Sequence, residues 1–157
     1  MTIKGIIDYD IVNYKKPSLF ICFPCCSFKC GKDICQNHAI YNEPNLDVSM
    51  GEIINIYDNN PLTKAIVCGG MEPFDSEVDL HCFITEFRHN HSDDIVIYTG
   101  YTEEEVGEKF PWATLEENII IKYGRYLPNQ RPHKDVVLGV ELASDNQYAK
   151  KYNEVKQ

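Results

Sequence analysis

The chain is short of basic residues: 15 Lys and Arg stand against 24 Asp and Glu, a formal net charge of -9. Phosphate recognition needs a basic face, so nucleic acid is not expected as the main partner. Long hydrophobic runs are also missing. None approaches the ~20 apolar residues that a helix needs to span a bilayer, and no membrane partner is expected. The opening Met1-Thr-Ile-Lys-Gly-Ile-Ile-Asp8 lacks the charged start and apolar stretch of a secretory leader, so the expected location is cytoplasmic. In that reducing compartment thiols serve as ligands or nucleophiles rather than as disulfides. Repeats and low-complexity tracts are absent as well. The 157 residues therefore read as one domain, 1–157, long enough to bury a true core.

Cysteine, by contrast, is concentrated. Five of the seven cysteines fall between Cys22 and Cys35, in Cys-Phe-Pro-Cys-Cys-Ser-Phe-Lys-Cys-Gly-Lys-Asp-Ile-Cys. Packing rarely calls for such a cluster, whereas soft thiolates hold zinc, copper(I) or iron–sulfur groups. The inner set Cys26, Cys30 and Cys35 has three members, with gaps of three and four residues. Structural zinc prefers four ligands in two pairs. Three ligands point to a metal group that keeps one coordination position open.

Unbroken apolar runs predict strands at Leu19–Phe23, Ala65–Cys68, Asp94–Tyr98 and Asn118–Lys122, with a fifth at Asp135–Val140. Helices are expected over Asp47–Tyr57, capped by Asp47 or Ser49, and over Asp75–His89. In the second of these, Leu80, Phe83, Ile84 and Phe87 share one face. Thr102 and Glu105 form a capping-box pattern at another helix start, and the tail from Asn146 reads as helical. Strands alternating with helices indicate parallel βαβ units. Strands without polar alternation indicate a sheet covered on both faces. Such sheets bind ligands beyond the carboxyl ends of their strands. The unusual residues fall there: the cysteine loop, Gly69-Gly70, Thr99-Gly100 and Tyr123-Gly124-Arg125.

The three-cysteine loop, followed after the next strand by Gly69-Gly-Met-Glu-Pro73, resembles the radical S-adenosylmethionine enzymes. Tyr98-Thr-Gly-Tyr101, Gly124-Arg125 and Ala143-Ser-Asp-Asn-Gln147 are similar to stretches of the anaerobic ribonucleotide reductase activating proteins, in the same order. The resemblance implies an α/β fold, a partial (β/α) barrel with a parallel sheet in a single compact domain. It implies a [4Fe-4S] cluster on Cys26, Cys30 and Cys35, with no catalytic residue beyond the cluster. It further implies S-adenosylmethionine against Gly69, Gly70, Met71, Glu72 and Pro73, with Tyr98, Thr99 and Gly100 completing the cofactor-binding set. The expected partners are a glycyl radical enzyme, anaerobic ribonucleotide reductase first, and an electron donor such as flavodoxin or ferredoxin. Two departures are plain. The last cysteine gap is longer than the family's, read here as a two-residue insertion within Gly31–Ile34, and Tyr123 stands where the family has aspartate.

Plainer readings accompany each motif. Cys22, Cys25, Cys30 and Cys35 would make a structural zinc site. Cys22, Cys68 and Cys82 read as core thiols, and His89 and His91 as solvated side chains. His38 is placed to support Cys35 from behind, and Tyr101, Trp112 and Tyr126 form a candidate docking rim.

Overall fold

Apolar runs and helix caps set the elements, and tertiary pairing decides the rest. The computed structural model describes residues 1–154. In chain order these are β1 (Thr2–Ile3), β2 (Gly5–Asp10), β3 (Ser18–Phe23), α1 (His38–Asn42), β4 (Leu46–Asp47), α2 (Met50–Asp58), β5 (Ala65–Gly70) and α3 (Glu77–Arg88). There follow β6 (Asp94–Tyr98), α4 (Glu103–Lys109), β7 (Ile119–Tyr123), β8 (His133–Lys134), β9 (Glu141–Leu142) and β10 (Tyr148–Tyr152).

Six strands form one sheet in the order β10-β7-β6-β5-β3-β2. The central four are parallel, with Leu19 beside Ile66, Ile66 beside Ile95 and Ile95 beside Ile119. The two edges, β2 and β10, run antiparallel to their neighbours. The architecture is α/β with a mixed sheet, and no closed barrel forms among the described residues. The parallel strands are buried along nearly their whole length because both faces are covered. Ile21, Ile66, Cys68, Ile97 and Ile121 face a core built with α2, α3 and α4. Ala65, Val67, Val96 and Ile120 face a smaller one, closed by Tyr14, Leu138 and Leu142 from non-helical segments.

The caps are as expected. Ser49 closes α2 and Thr102 closes α4, each in a reciprocal capping box with Glu52 or Glu105. All four apolar positions of α3 are buried. Asp135–Val140 is a turn rather than the expected fifth strand. The Asp135 carboxylate accepts from the Val137 and Leu138 N–H groups, and Gly139 adopts φ +75°. Side-chain capture of the backbone here displaces a sheet ladder. The tail is likewise a strand: Tyr148–Tyr152 pairs with Tyr123–Ile119 along its length. Pairing across the sheet overrides the weak helical propensity of Tyr-Ala-Lys-Lys-Tyr. Strand β2 extends the opposite edge from a segment with no sequence assignment.

One buried carboxylate ties the β2–β3 connection and the antiparallel edge β10 to the parallel centre. Asp94, at the start of β6, accepts from Tyr14 Oη at 2.9 Å and Lys16 Nζ at 2.5 Å, and pairs with Lys151 Nζ of β10 at 3.0 Å. Burial works to raise its pKa, but Lys16, Lys151 and Tyr14 overcome burial and hold the group below its ordinary value. Its stabilising contribution is therefore complete above the ordinary carboxylate range and is lost as pH falls through the lower folded value. Asp94→Asn is expected to cost about 1–3 kcal/mol at neutral pH. Urea unfolding across an acid pH series should show this deficit shrinking as the wild-type carboxylate protonates.

Candidate functional site

The carboxyl ends of the four parallel strands open into a cleft of about 340 Å³. Ten of the eleven site residues named from sequence line it: Cys26, Cys30, Cys35, Gly69, Gly70, Met71, Glu72, Tyr98, Thr99 and Gly100. Pro73 stands behind the cleft, buried at the start of a 3₁₀ turn over Pro73–Ser76. The placement follows from topology. β3 delivers the cysteine loop, β5 the Gly-Gly strip and β6 Tyr98-Thr99-Gly100, each leaving the sheet on the same side.

Two backbone bonds and one from backbone to a carboxylate stitch the cysteine loop to the next strand end. Met71 N–H donates to Phe23 O at 3.1 Å, Glu72 N–H to Cys25 O at 2.7 Å, and Ser27 N–H to Asp75 Oδ2 at 2.5 Å. Asn37, two residues beyond Cys35, donates its amide to Gly70 O at 2.6 Å. The extra residues between Cys30 and Cys35 fold as a 3₁₀ turn over Lys32–Ile34, entered through Gly31 at φ +99°. The long last gap is thus taken up as a compact turn on the loop.

Gly70 is required twice over. Its φ of +83° disfavours a side chain, and a Cβ there would lie 2.9 Å from both Cα and Sγ of Cys22. Cys22 is therefore packed beneath the strip, and Cys25 is exposed with its carbonyl tied to Glu72. Neither lines the cleft that Cys26, Cys30 and Cys35 share. Cys68 is buried as expected, whereas Cys82 is exposed on the outer side of α3.

Burial pushes the Cys26 thiol up to about 11, with the charges of Glu72, Asp75 and Cys30 acting in the same direction. Burial also raises Cys30, helped by Cys35. Such thiols hold their protons until a cation displaces them. Among the described residues, no three His, Cys, Asp or Glu side chains converge on one metal-binding point. The donor chemistry still fits a group held at three points. Three soft sulfurs line the same cleft as the Gly69-Gly70 strip.

Glu72 organises this cleft. Its carboxyl accepts from Thr99 Oγ1 at 2.8 Å, Gly100 N–H at 2.8 Å and Phe74 N–H at 3.2 Å. Burial raises it to about 7 despite those three donors. The side chain thus ties the segments after β5 and β6 together.

Sequence reading missed Lys122. It follows the unbroken Ile119-Ile120-Ile121 run and is 7% exposed, with Nζ donating to Gly124 O at 3.0 Å inside the cleft. Burial lowers it to about 8, while Glu72 and Cys30 act to raise it. A lysine ending an otherwise apolar strand was the available signal. The Gly124-Arg125 turn and the Ala143–Gln147 stretch meet here: Gln147 donates to Gly124 O at 3.1 Å and Asn146 to Arg125 O at 2.9 Å. Arg125 in turn holds Glu105 down to about 2.

The expected aromatic rim is not assembled. Tyr101 is buried, with its hydroxyl on Asp75 at 2.6 Å, and Trp112 stacks on His81 at 4.1 Å. Tyr126 alone lines the cleft. His38 is exposed at the start of α1. His89 is solvated as expected, but His91 packs on Phe87 at 4.5 Å and pairs with Asp58 at 3.0 Å. The chain matches no protein-family model, no curated protein and no solved structure.

A buried ammonium costs stability until it loses its proton. Between about 8, its folded value, and the ordinary 10.5, the native state binds fewer protons than the unfolded chain, so stability rises with pH. Lys122→Met is expected to raise the stability of the metal-free chain by about 1–3 kcal/mol at neutral pH. Urea midpoints measured against pH should lose the alkaline rise in the variant.

Proposed function

We propose that the chain is a radical S-adenosylmethionine activase that installs a glycyl radical on a partner enzyme, with anaerobic ribonucleotide reductase the leading candidate. The observation that carries the reading is the convergence of three separate motifs, the three-cysteine loop, Gly69–Glu72 and Tyr98–Gly100, on one cleft at the strand ends. On this reading the four parallel strands and their crossover helices correspond to the arc of a partial (β/α) barrel, with the antiparallel strands β2 and β10 as its margins. Its setting is the anaerobic cytoplasm.

Cys26, Cys30 and Cys35 would hold a [4Fe-4S] cluster. Such a cluster, where bound, would supply the electron for reductive cleavage of S-adenosylmethionine to methionine and a 5′-deoxyadenosyl radical. The chain's own groups bind and orient. Gly69 and Gly70 place bare backbone in the cleft wall, where a ligand ammonium group would lie, and neither position admits a Cβ, which would meet Phe20 or Cys22. Lys122 presents the cleft's buried cation to a ligand carboxylate. Glu72 fixes Thr99 and Gly100 so that the opposite wall does not move when a ligand enters. Asn37 holds the far end of the cysteine loop on Gly70. The open mouth leaves room for a peptide segment of a partner. Little chain remains to enclose a small-molecule substrate, which favours a protein substrate.

Purification without oxygen, reconstitution with iron and sulfide, and reduction in the presence of S-adenosylmethionine test this directly. The expected product is 5′-deoxyadenosine, detected by chromatography and abolished in Cys30→Ala. A chain that takes up zinc, or binds a cluster and leaves S-adenosylmethionine intact even with the partner reductase present, is a non-catalytic metal-binding module.

A further inference from the structure

The net charge is not spread evenly along the chain. Of the 24 acidic and 15 basic residues, the stretch 77–117 holds 11 and two, which leaves 13 of each elsewhere. The whole surplus of -9 therefore belongs to α3, β6, α4 and the turn over Pro111–Thr114. Both cations of this stretch are already engaged. Arg88 donates to the carbonyls of His91, Asp93 and Glu117, and Lys109 Nζ rests 5.0 Å from the centroid of the Tyr101 ring. Among the described residues, Glu77, Glu86, Glu104, Glu108, Glu116 and Glu117 form no ion pair with a lysine or arginine.

These carboxylates belong to one layer of the molecule. Leu80, Phe83 and Ile84 of α3 and Val106 of α4 enter the same core, so the two helices turn their other sides outward, with Glu77, Val78, Glu104 and Glu108 exposed. Trp112, just past α4 and the single tryptophan of the chain, reaches across to α3. Its Nε1–H donates to Glu77 Oε1 at 3.1 Å, and its ring stacks on His81 at 4.1 Å and 7°. His81 Nε2 in turn lies 4.0 Å from Glu116 Oε1. Val78 and Leu115, the sequence neighbours of Glu77 and Glu116, are 76% and 75% exposed. Charge alone would make an ordinary solvated face. Here large apolar side chains and an indole fixed at both its nitrogen and its ring stand among the carboxylates, which is the composition of an interface.

We propose that the outer side of α3, with Trp112 and Leu115, is a docking surface for a lysine- or arginine-rich segment of a partner protein that also carries apolar side chains. The inference goes beyond the activase reading and does not depend on a metal. Neither Glu77, His81 nor Trp112 lines the strand-end cleft, so a partner held here leaves that cleft open. Charge complementarity selects the occupant. Unpaired carboxylates attract cationic side chains and steer their approach, while Val78, Leu115 and the Trp112 indole take the apolar ones. A second copy of this chain has no cationic surplus to offer, because acids and bases balance outside the stretch. Nucleic acid and anionic membranes are repelled.

The lone Trp112 reports on the surface directly. Its fluorescence, followed while a synthetic amidated lysine–leucine peptide of helical spacing is titrated into the full chain, tests the proposal without turnover or cluster. The expected result is a saturable change whose affinity weakens as salt is raised. Affinity should fall at least about fivefold in Glu104→Gln, Glu108→Gln, Glu117→Gln, and by a similar factor in Val78→Ser, Leu115→Ser. All five positions are exposed, and unchanged circular dichroism should show that both variants fold. Glu43→Gln, an exposed acid outside the stretch, should bind as the wild type does. Equal affinity in the wild type and both variants overturns the proposal, as does a wild type that leaves Trp112 emission unchanged. A lysine–serine peptide that binds as tightly as the lysine–leucine one reveals a nonspecific polyanion and overturns it too. A dimer in sedimentation that Val78→Ser dissociates assigns the face to a second copy instead.

Discussion

The buried carboxyl of Glu72 is the contact on which the rest of the cleft depends. Its backbone N–H is bonded to Cys25 O, and its side chain gathers Thr99, Gly100 and Phe74. One residue thereby joins the loops after β3, β5 and β6, which share no covalent constraint. Hydrogen bonds to a charged or buried acceptor are worth about 1.5–3 kcal/mol each when well made. Without the carboxyl, two N–H groups and a hydroxyl would lose this partner. The cysteine loop leans on this arrangement, because its return onto the sheet runs through Cys25, Ser27 and Asn37, all bonded to the Gly70–Asp75 segment.

Around that clamp the charges are arranged at a cost to stability. Lys122 is buried behind an apolar run, and Glu72 is held toward its neutral form by the same burial. Neither would be chosen for the core of a protein whose cleft did nothing, where leucine or methionine packs better. Both groups line the same cleft as the Gly69-Gly70 strip, whose Gly70 carbonyl is held by the Asn37 amide. The Gly124-Arg125 turn completes the enclosure. Its φ of +96° and its bonds to Asn146 and Gln147 fix the end of β7.

The parallel centre was legible because its strands are uninterrupted apolar runs and its caps are locally encoded. Ser49, Thr102 and the four apolar positions of α3 act through neighbours within one or two turns of sequence. What escaped sequence reading depends on distant pairing. Tyr148–Tyr152 becomes a strand only because β7 presents an open edge, and Asp135–Val140 becomes a turn because Asp135 binds its own backbone and Ala149. The cleft residues were identified as separate motifs, and topology brought all but Pro73 to one cleft. Lys122 was overlooked since a terminal lysine on a strand usually reaches water. Here β10 and the Gly124 turn close over it. Cys82 and His91 were misjudged for the same reason in opposite senses: residue type alone does not say which side of a helix end the core occupies.

On the proposed reading, Cys26, Cys30 and Cys35 would hold one open iron–sulfur cluster beside the Gly69-Gly70 strip. Anomalous diffraction at the iron edge from crystals of the reconstituted chain with S-adenosylmethionine tests it most directly. The account predicts a compact four-iron peak with three irons on these sulfurs, and the fourth iron on the ligand beside Gly70. A single peak at the zinc edge, ligated by Cys22 or Cys25 together with Cys30 and Cys35, would contradict it.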